Sequence, residues 1–260
     1  MLVNAVPQGQ GAVGPRAGEL AEGCLALGEF VGRVLGEPVH HVPQGKTTSS
    51  TVDGVVNRAA LLENRAAQLA ALEAPAGPVL TVGGDCGVEL VPISVARFRY
   101  GIGLKVAWFD AHADLNTAAG SPSGAFHGMV LRSLFGEGDA EFAASPPLEP
   151  SNAVLFGTRV FDPEERDALD RGLVSQAPGS LRGAEYVYLH LDLDVLDPGE
   201  FSGMNYPESG GMSIVELVDA IGGLAGFEVI GAGITECVAT GSELHVLEPV
   251  IRAIGALLKP

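Results

Sequence analysis

Apolar residues along this chain alternate between two spacings, which predicts an α/β fold. Short runs rich in valine, leucine and isoleucine are typical of buried strands, and they fall at 79–83, 106–109, 153–157, 186–193 and 229–234. Helix-compatible stretches lie between them, at 18–35, 55–72, 89–99, 163–169, 213–224 and 242–258. Strands that are apolar throughout must be covered on both faces, so we predict a three-layer α/β/α arrangement around a mostly parallel sheet.

Two of the predicted helices begin with a capping signal. Ser213 stands three residues before Glu216, which is the spacing of a capping box, and Ser242 is the expected N-cap of the last helix. No repeat, charge block or long linker divides the chain. We therefore expect residues 1–260 to form a single domain.

Composition narrows the class of protein. A chain of 260 residues with 47% hydrophobic and 18% charged residues can bury a sizeable core. The formal net charge of −17 argues against nucleic acid or an anionic membrane surface as a partner. Three cysteines are too few for a disulfide scaffold, and neither a signal peptide nor an apolar stretch of about 18–20 residues is recognisable. We expect a cytoplasmic protein without a membrane span.

Acidic residues recur where four of the predicted strands end. Asp85 follows LTVGG, Asp110 follows VAWF, Asp192 and Asp194 end YVYLHL, and Glu236 follows GAGIT. Ligands collect at the carboxyl ends of parallel strands. One acid in such a place is usually a turn former or a helix cap, but four strands bringing acids together is costly unless a cation neutralises them.

The spacing within these acidic segments indicates metal ligands. In WFDAHADLN, Asp110 and His112 point to one side of an extended backbone, and Asp114 continues the series if the extension persists. Asp192 and Asp194 repeat this spacing on another strand. Mixed oxygen and imidazole donors suit divalent metals such as Mn, Zn and Fe. A carboxylate can bridge two metals about 3.5–4 Å apart, so the pattern predicts a two-metal hydrolase centre.

Five sequence blocks, in this order and spacing, resemble the ureohydrolase family of arginases, agmatinases and formimidoylglutamases. They are LTVGGDC, WFDAHADLN, SGAFHG, LDLDVLDP and ITEC. The resemblance implies the arginase/deacetylase α/β fold and a binuclear centre, usually of manganese. It implies that a metal-bridging hydroxide hydrolyses a C–N bond of a small linear guanidino or amidino compound, releasing urea or a related amide. It also implies a homo-oligomer, a trimer or hexamer.

The resemblance assigns roles to residues of these blocks. Asp110 and Asp192 would bridge both metals, Asp114 would bind one metal, and His112 with Asp194 would bind the other.

The expected catalytic residues are His127, Glu236 and Asp114. His127 would act as general acid or proton shuttle for the leaving amine, since the unperturbed pKa of an imidazole is about 6.5. Glu236 would pair with the planar guanidinium.

Substrate specificity is expected to reside in the loop after the first acidic block. By resemblance, Asn116 and Ser123 would hold an α-carboxylate, and Asp162 would contact an α-amino group. Ala125 stands where arginases carry an asparagine. Losing a polar contact to a charged group costs about 1.5–3 kcal/mol, so arginine and a different guanidino or amidino compound both stay open.

Cys86 is the main departure from the family pattern. The family's first block usually reads GGDH, and its histidine ligates the more deeply placed metal; here the position is cysteine. Cys86 could be a thiolate ligand, which would shift the preference of the site from Mn²⁺ toward Zn²⁺, Fe²⁺ or Co²⁺. It could instead be a small buried residue in a site that has lost this metal. His190, on the same side of its strand as Asp192, is expected to be a core histidine or to support a ligand.

Two other functions remain open. A deacetylase-like hydrolase would use one metal held by Asp110, His112 and Asp194, but a one-metal site does not need Asp114 or Asp192.

A non-catalytic descendant, acting as an oligomeric or regulatory partner, is the other alternative, with Cys86 as its mark of decay. The intact His127 and Glu236 argue against it.

Overall fold

The computed structural model describes residues 1–45, 47–72 and 77–259. Within them, seven strands form one sheet in the order β2-β1-β3-β7-β6-β4-β5, and every neighbouring pair is parallel. The strands are β1 Leu2–Val6, β2 Val39–His41, β3 Val79–Gly83, β4 Leu104–Phe109, β5 Ala153–Phe156, β6 Tyr186–Asp192 and β7 Glu228–Thr235.

Helices cover both faces of this sheet. They are α1 Leu20–Leu35, α2 Arg58–Ala71, α3 Leu90–Tyr100, α4 Val130–Leu134, α5 Pro163–Asp170, α6 Ile214–Gly222 and α7 Glu248–Leu258. Strand β4 shows why two layers are needed, because Val106 and Trp108 pack with α2, α3 and α4, whereas Ala107 and Phe109 pack with α1, α6 and α7. The predicted three-layer α/β/α fold is confirmed. No helix of the described residues has the length and apolar character to cross a membrane.

The five predicted strands and six predicted helices all form, with small shifts at their ends. The two strands absent from the prediction are β1, whose apolar run is interrupted by Asn4, and β2, a three-residue strand at the sheet edge. The capping box of Ser213 and Glu216 is present. The register of β7 with β6 shifts by one residue between Val187 and Tyr188.

The prediction that Ser242 caps the last helix is wrong. Residues Ser242–Leu247 form a 3-10 helix, and α7 begins only at Glu248. Pro249 occupies the start of α7, where its missing N–H is tolerated and its fixed φ favours a helix start.

Candidate metal centre

The four strands with acidic ends lie side by side in the sheet. Strands β3, β7, β6 and β4 are consecutive neighbours, and being parallel they present their carboxyl ends at one edge. The polar residues that follow them, Cys86, Glu236, Asp192, Asp194 and Asp110, are all buried there. The sequence pattern therefore identified a real convergence of side chains.

Three residues form what we call the outer group: Asp110, His112 and Asp194. Their ligand atoms lie within 4.8 Å of one another. His112 Nδ1 lies 2.8 Å from Asp194 Oδ2 and 3.6 Å from Asp110 Oδ1. Asp110 and His112, two residues apart in the sequence, thus lie together with Asp194, and their roles as ligands stay predictions. The His112 side chain remains partly exposed, so the outer group lies toward solvent.

A second set, the inner group, is fully buried. It comprises Cys86, Asp110, Asp114 and His190, whose ligand atoms also lie within 4.8 Å of one another. Asp110 belongs to both groups, and its bridging role stays a prediction. Asp192 lies within the same reach of Cys86 and Glu236, not within the outer group. Its bridging role stays a prediction.

The backbone at Asp114 differs from a simple continuation of the extended series. Asp114 has φ of 52°, in the left-handed region, and its carboxylate joins the inner group while His112 joins the outer group. Glu236 also has a left-handed φ, 65°. Non-glycine residues in such conformations cost about 1–3 kcal/mol and concentrate at functional sites. Asp114 Oδ2 is buried with no hydrogen-bond partner among the described residues.

Burial and repulsion between like charges act together on the carboxyl groups of the cluster. Burial, together with the charge of Asp110, raises the pKa of Asp194 to about 6 despite the opposing charge of His112. Burial and Asp110 likewise raise the pKa of Asp114, and burial with Asp194 raises that of Asp192. The pKa of Asp110 is lowered instead, because the nearby imidazoles of His112 and His190 outweigh its burial. Bound divalent cations would neutralise this repulsion.

The donors present fit divalent metal ions. The outer group offers two carboxylates and an imidazole, and the inner group offers two carboxylates, an imidazole and a sulfur. Carboxylates and imidazoles are the ligands of Mn, Fe and Zn, and a thiolate suits Zn best. The unpartnered oxygen of Asp114 supports this fit, since a cation would satisfy it.

Cys86 lies among the donors of the inner group. Its Sγ is 3.0 Å from Asp192 Oδ2, 3.0 Å from Thr235 Oγ1 and 3.7 Å from His190 Nε2. Burial and the surrounding carboxylates, Asp192 first, raise the pKa of this thiol well above its usual value. Without metal the thiol therefore keeps its proton and donates it to Asp192. Ligation by the sulfur stays a prediction.

Glu236, which is buried, pairs with the partly exposed His127. Glu236 Oε1 lies 3.1 Å from His127 Nδ1 and accepts from the backbone N–H of Cys86 at 3.0 Å, while Oε2 accepts from Asn205 at 2.9 Å. Burial alone would lower the pKa of His127, but the Glu236 carboxylate raises it. Sequence reasoning gave these two residues separate roles and did not foresee their contact.

A cavity of about 250 Å³ opens beside the metal centre. Its wall contains Asn116, Ser123 and Asp162, the three predicted substrate-binding residues outside the metal centre. Asn116 Nδ2 donates to Asp162 Oδ2 at 2.8 Å, and Asn116 Oδ1 has no hydrogen-bond partner among the described residues. The lining residues are His112, Asp114, Asn116, Ser121, Pro122, Ser123, His127, Gly128, Val160, Asp162, Glu165, Asp192, Asp194 and Tyr206.

Asp162 and Glu165 also build the cavity wall through secondary structure. Asp162 is the N-cap of α5, in a capping box with Glu165. Glu165 additionally accepts from the backbone N–H of Leu115 at 3.0 Å. The helix start and the metal-binding loop are therefore tied together, a link that the one-dimensional spacing could not reveal.

Sequence reasoning missed Tyr206 and misjudged Asp85. Tyr206 lines the cavity with its ring centroid 5.4 Å from that of His127, but it lies in a loop without periodicity. Asp85 was one of the four strand-end acids, yet it joins no metal-ligand group among the described residues. It accepts hydrogen bonds from Gln8 and from the backbone N–H of Gly11, so it anchors the loop after β1. Burial, with repulsion from Glu236, raises its pKa to about 7.

Comparison with known proteins agrees with this geometry. Residues 35–240 match the model of the Arginase family. The arginase of Staphylococcus aureus (strain COL) is 35% identical over 158 residues, 53% of this chain and 52% of that protein. The matched segment thus spans about half the length of this curated relative.

Solved structures extend the similarity along the whole chain. The native arginase of Bacillus caldovelox superposes with a TM-score of 0.85 at 25% identity, over 99% of this chain and 97% of that one. The Entamoeba histolytica arginase in complex with L-ornithine gives a TM-score of 0.84 at 21% identity, over 100% and 98%. At that identity the second similarity shows the fold alone.

Sheet order and donor set together define an α/β protein with a candidate metal centre at the carboxyl edge of its sheet. Because the family match covers most of its length, the chain belongs to the arginase family. The family expected from the five sequence blocks is confirmed.

Removing metal should destabilise the fold increasingly as Asp194 ionises. The metal-free folded state raises the pKa of this carboxyl from 3.8 to about 6, so the folded state binds the proton more tightly than the unfolded state. The free energy of unfolding should therefore fall as the pH rises from about 4 to about 6. We expect the thermal midpoint of chelator-treated protein to fall over that interval, and that of metal-loaded protein to fall less. An identical pH dependence of the two forms would contradict a metal-neutralised cluster.

Proposed function

We propose that this protein is a metal-dependent amidinohydrolase that cleaves a C–N bond of a small, linear guanidino compound and releases urea. One observation carries the proposal: two groups of buried donors share Asp110 and open on a cavity of about 250 Å³. Two divalent ions in those groups, Mn²⁺ by analogy with the family, would supply Lewis-acid charge and a water of lowered pKa.

The charge of the cavity favours a cationic substrate. Apart from the candidate metal ligands and His127, the ionisable side chains of the described lining are the acids Asp162 and Glu165 and the phenol of Tyr206, with no lysine or arginine. A guanidinium suits this environment, since it is planar, delocalised and always protonated. In the proposed complex Glu236 provides the nearby negative charge, and its hydrogen bonds from Cys86 N–H and Asn205 fix its position.

His127 is the proposed proton donor for the leaving amine. It lines the cavity, and the contact of its Nδ1 with Glu236 fixes the ring and leaves Nε2 for the substrate side. The carboxylate also favours the protonated imidazole, the form needed by a general acid.

Polar residues of the cavity wall would bind the end of the substrate that is opposite its guanidinium group. Asn116 Oδ1 is a buried, unpartnered acceptor, and Asp162 lies beside it, so a protonated amine is the group best placed there. Ser123 contributes a hydroxyl, while Ala125 contributes no polar group. An amine-bearing guanidino compound of the size of arginine is therefore the proposed substrate. If it also carries an α-carboxylate, that group would be held less firmly than in a protein with an asparagine at the position of Ala125.

The single-metal alternative would rely on the outer group alone. The completeness of the inner group, with a buried, unpartnered Asp114 oxygen, favours two metals instead. Metal analysis separates the three functions, since the amidinohydrolase predicts two ions per chain, the deacetylase-like enzyme one and the non-catalytic descendant none.

Homo-oligomeric assembly, a cytoplasmic location and a single domain spanning residues 1–260 stay predictions. The domain proposal is supported by the sheet itself, because its strands run from Leu2 to Thr235 and the two ends of the chain share one core. Light scattering on the purified protein would measure the oligomeric state.

The substrate proposal is tested by a urea-release screen of the Mn²⁺-loaded protein. The guanidino compounds are arginine, agmatine, guanidinobutyrate and guanidinopropionate, and formimidoylglutamate, whose hydrolysis would give formamide, is assayed for that product instead. We expect urea from arginine or agmatine, whose tails carry an amine or an α-amino acid, and none from a variant with Asp110→Asn, which removes the shared ligand. No urea from any guanidino compound, at full metal content, would overturn the proposed function.

The role of His127 predicts a loss of turnover without a loss of metal. Substitution His127→Gln should lower kcat by about 10²–10⁴-fold, the usual contribution of a general acid, and should abolish the alkaline limb of the kcat profile. Metal content should be unchanged. The matched control is His245→Gln, an exposed histidine outside the cavity, which should behave as wild type. Wild-type kcat in His127→Gln would remove this residue from the mechanism.

A further inference from the structure

We propose that His190 is a metal ligand of the inner group, with Glu89 and Trp108 holding its ring for that task. The imidazole missing at position 86 would thus be supplied by strand β6 instead of the loop after β3. This inference rests on the proposed metal-dependent function. It assigns a new role to a residue that the sequence suggested only as a core or supporting histidine.

Distances within the inner group agree with ligation of one ion. His190 Nε2 lies 3.7 Å from Cys86 Sγ and 3.8 Å from Asp110 Oδ2, and Asp114 also has an oxygen within 4.8 Å. Ligands bound at about 2.0–2.3 Å in a tetrahedral site are roughly 3.3–3.8 Å apart. One cation among these atoms would thus be within reach of all of them after small side-chain shifts.

Trp108 fixes the plane of the His190 ring. The two residues are directly opposite each other in the β4–β6 register, and their rings stack with centroids 3.6 Å apart and an interplanar angle of 26°. The indole Nε1 also donates to Asp110 Oδ2 at 3.0 Å. One tryptophan thereby positions two members of the inner group.

Glu89 lies behind the ring, on the side away from the donors. Its Oε2 is 3.6 Å from His190 Nδ1, and both residues are completely buried. A metal-bound histidine commonly has its second nitrogen held by a carboxylate, which orients the ring and increases its basicity. Tyr188 supports the carboxylate through its hydroxyl, 3.5 Å from Glu89 Oε1.

Space for the Glu89 carboxylate comes from a glycine. Gly233 is opposite His190 in the β6–β7 register, and a Cβ at this position would collide with both oxygens of Glu89. The sheet thus has Trp108, His190 and Gly233 in one transverse row. Each neighbour of the histidine contributes to its position.

A purely structural histidine explains these contacts less well. In that case Nε2 would have to be satisfied by the Cys86 sulfur at 3.7 Å, a weak partner, because Asp110 at 3.8 Å is beyond hydrogen-bond reach. Asp114 Oδ2 would also stay buried and unpartnered. A cation in the inner group satisfies both atoms at once.

Metal content per chain is the primary test. The purified chains are stripped with chelator, equilibrated with Mn²⁺ or with Zn²⁺, freed of excess metal by gel filtration and measured by elemental analysis. The wild-type chain should hold two ions, and His190→Ala should hold one. The double variant that combines His190→Ala with His112→Ala should hold none, because His112 is a ligand of the outer group. Glu89→Gln should lower the affinity for one of the two ions by about 10–100-fold. The matched control, His41→Ala, alters an exposed histidine and should retain both ions.

A second measurement on the unaltered chain protects the test from misfolding of the variants. In NMR spectra of protein with ¹⁵N-labelled histidine, the resonances of the His190 ring nitrogens should shift when metal is added. These resonances are assigned by their absence in His190→Gln. Far-UV circular dichroism of each chelated variant checks the fold.

The outcomes separate the inference from the function beneath it. Two ions of wild-type affinity in folded His190→Ala, or a His190 signal unmoved by saturating metal, overturn the inference and leave the proposed function standing. A wild-type chain that binds no metal overturns both.

Discussion

Repulsion among buried carboxylates is the constraint on which the rest of this structure depends. Asp110, Asp114, Asp192 and Asp194 are withdrawn from water at one edge of the sheet. Desolvated charges of the same sign would drive these side chains toward protonation or outward into solvent. The parallel sheet resists that tendency because four neighbouring strands fix the backbone beneath the acids. A cation at this edge would be attracted by the same carboxylates that repel one another. The charges that cost the fold stability would therefore also provide its affinity for metal.

The sequence predicts the fold well where a pattern has a local cause. Continuous apolar runs followed by an acid mark the ends of β3, β4, β6 and β7, because burial and site chemistry act on adjacent positions. The edge strand β2 could not be recognised, since three half-exposed residues carry no period. Ser242 shows that a capping signal alone does not fix the start of an α-helix. Helix α7 begins at Glu248 instead, with Pro249 in its first turn.

Site prediction from the sequence succeeds or fails for a related reason. Asp110 and His112 stand two residues apart, and the structure places them together just beyond the end of β4. Asp85 has the same sequence context as the other strand-end acids, yet its carboxylate faces Gln8 and backbone N–H groups. Only three-dimensional packing distinguishes an anchoring carboxylate from a ligand. Glu89 is the converse case, a residue inside an apolar helical stretch whose importance comes from a ring on another strand.

The register shift at the start of β7 has a consequence for the chain's tolerance of length changes. Val187 faces Val229 but Tyr188 faces Gly231, so Ile230 is the additional residue of a bulge. Beyond it, the pleat of β7 is in phase with that of β6. If residue 230 were deleted and the pairing at Val229 retained, Gly231 would follow Val229 directly, and the residues farther along β7 would keep both their partners on β6 and their faces. The bulge is therefore the place where β7 can lose a residue without disturbing its carboxyl edge, whereas a deletion in the regularly paired part beyond Gly231 would turn the following side chains to the opposite face.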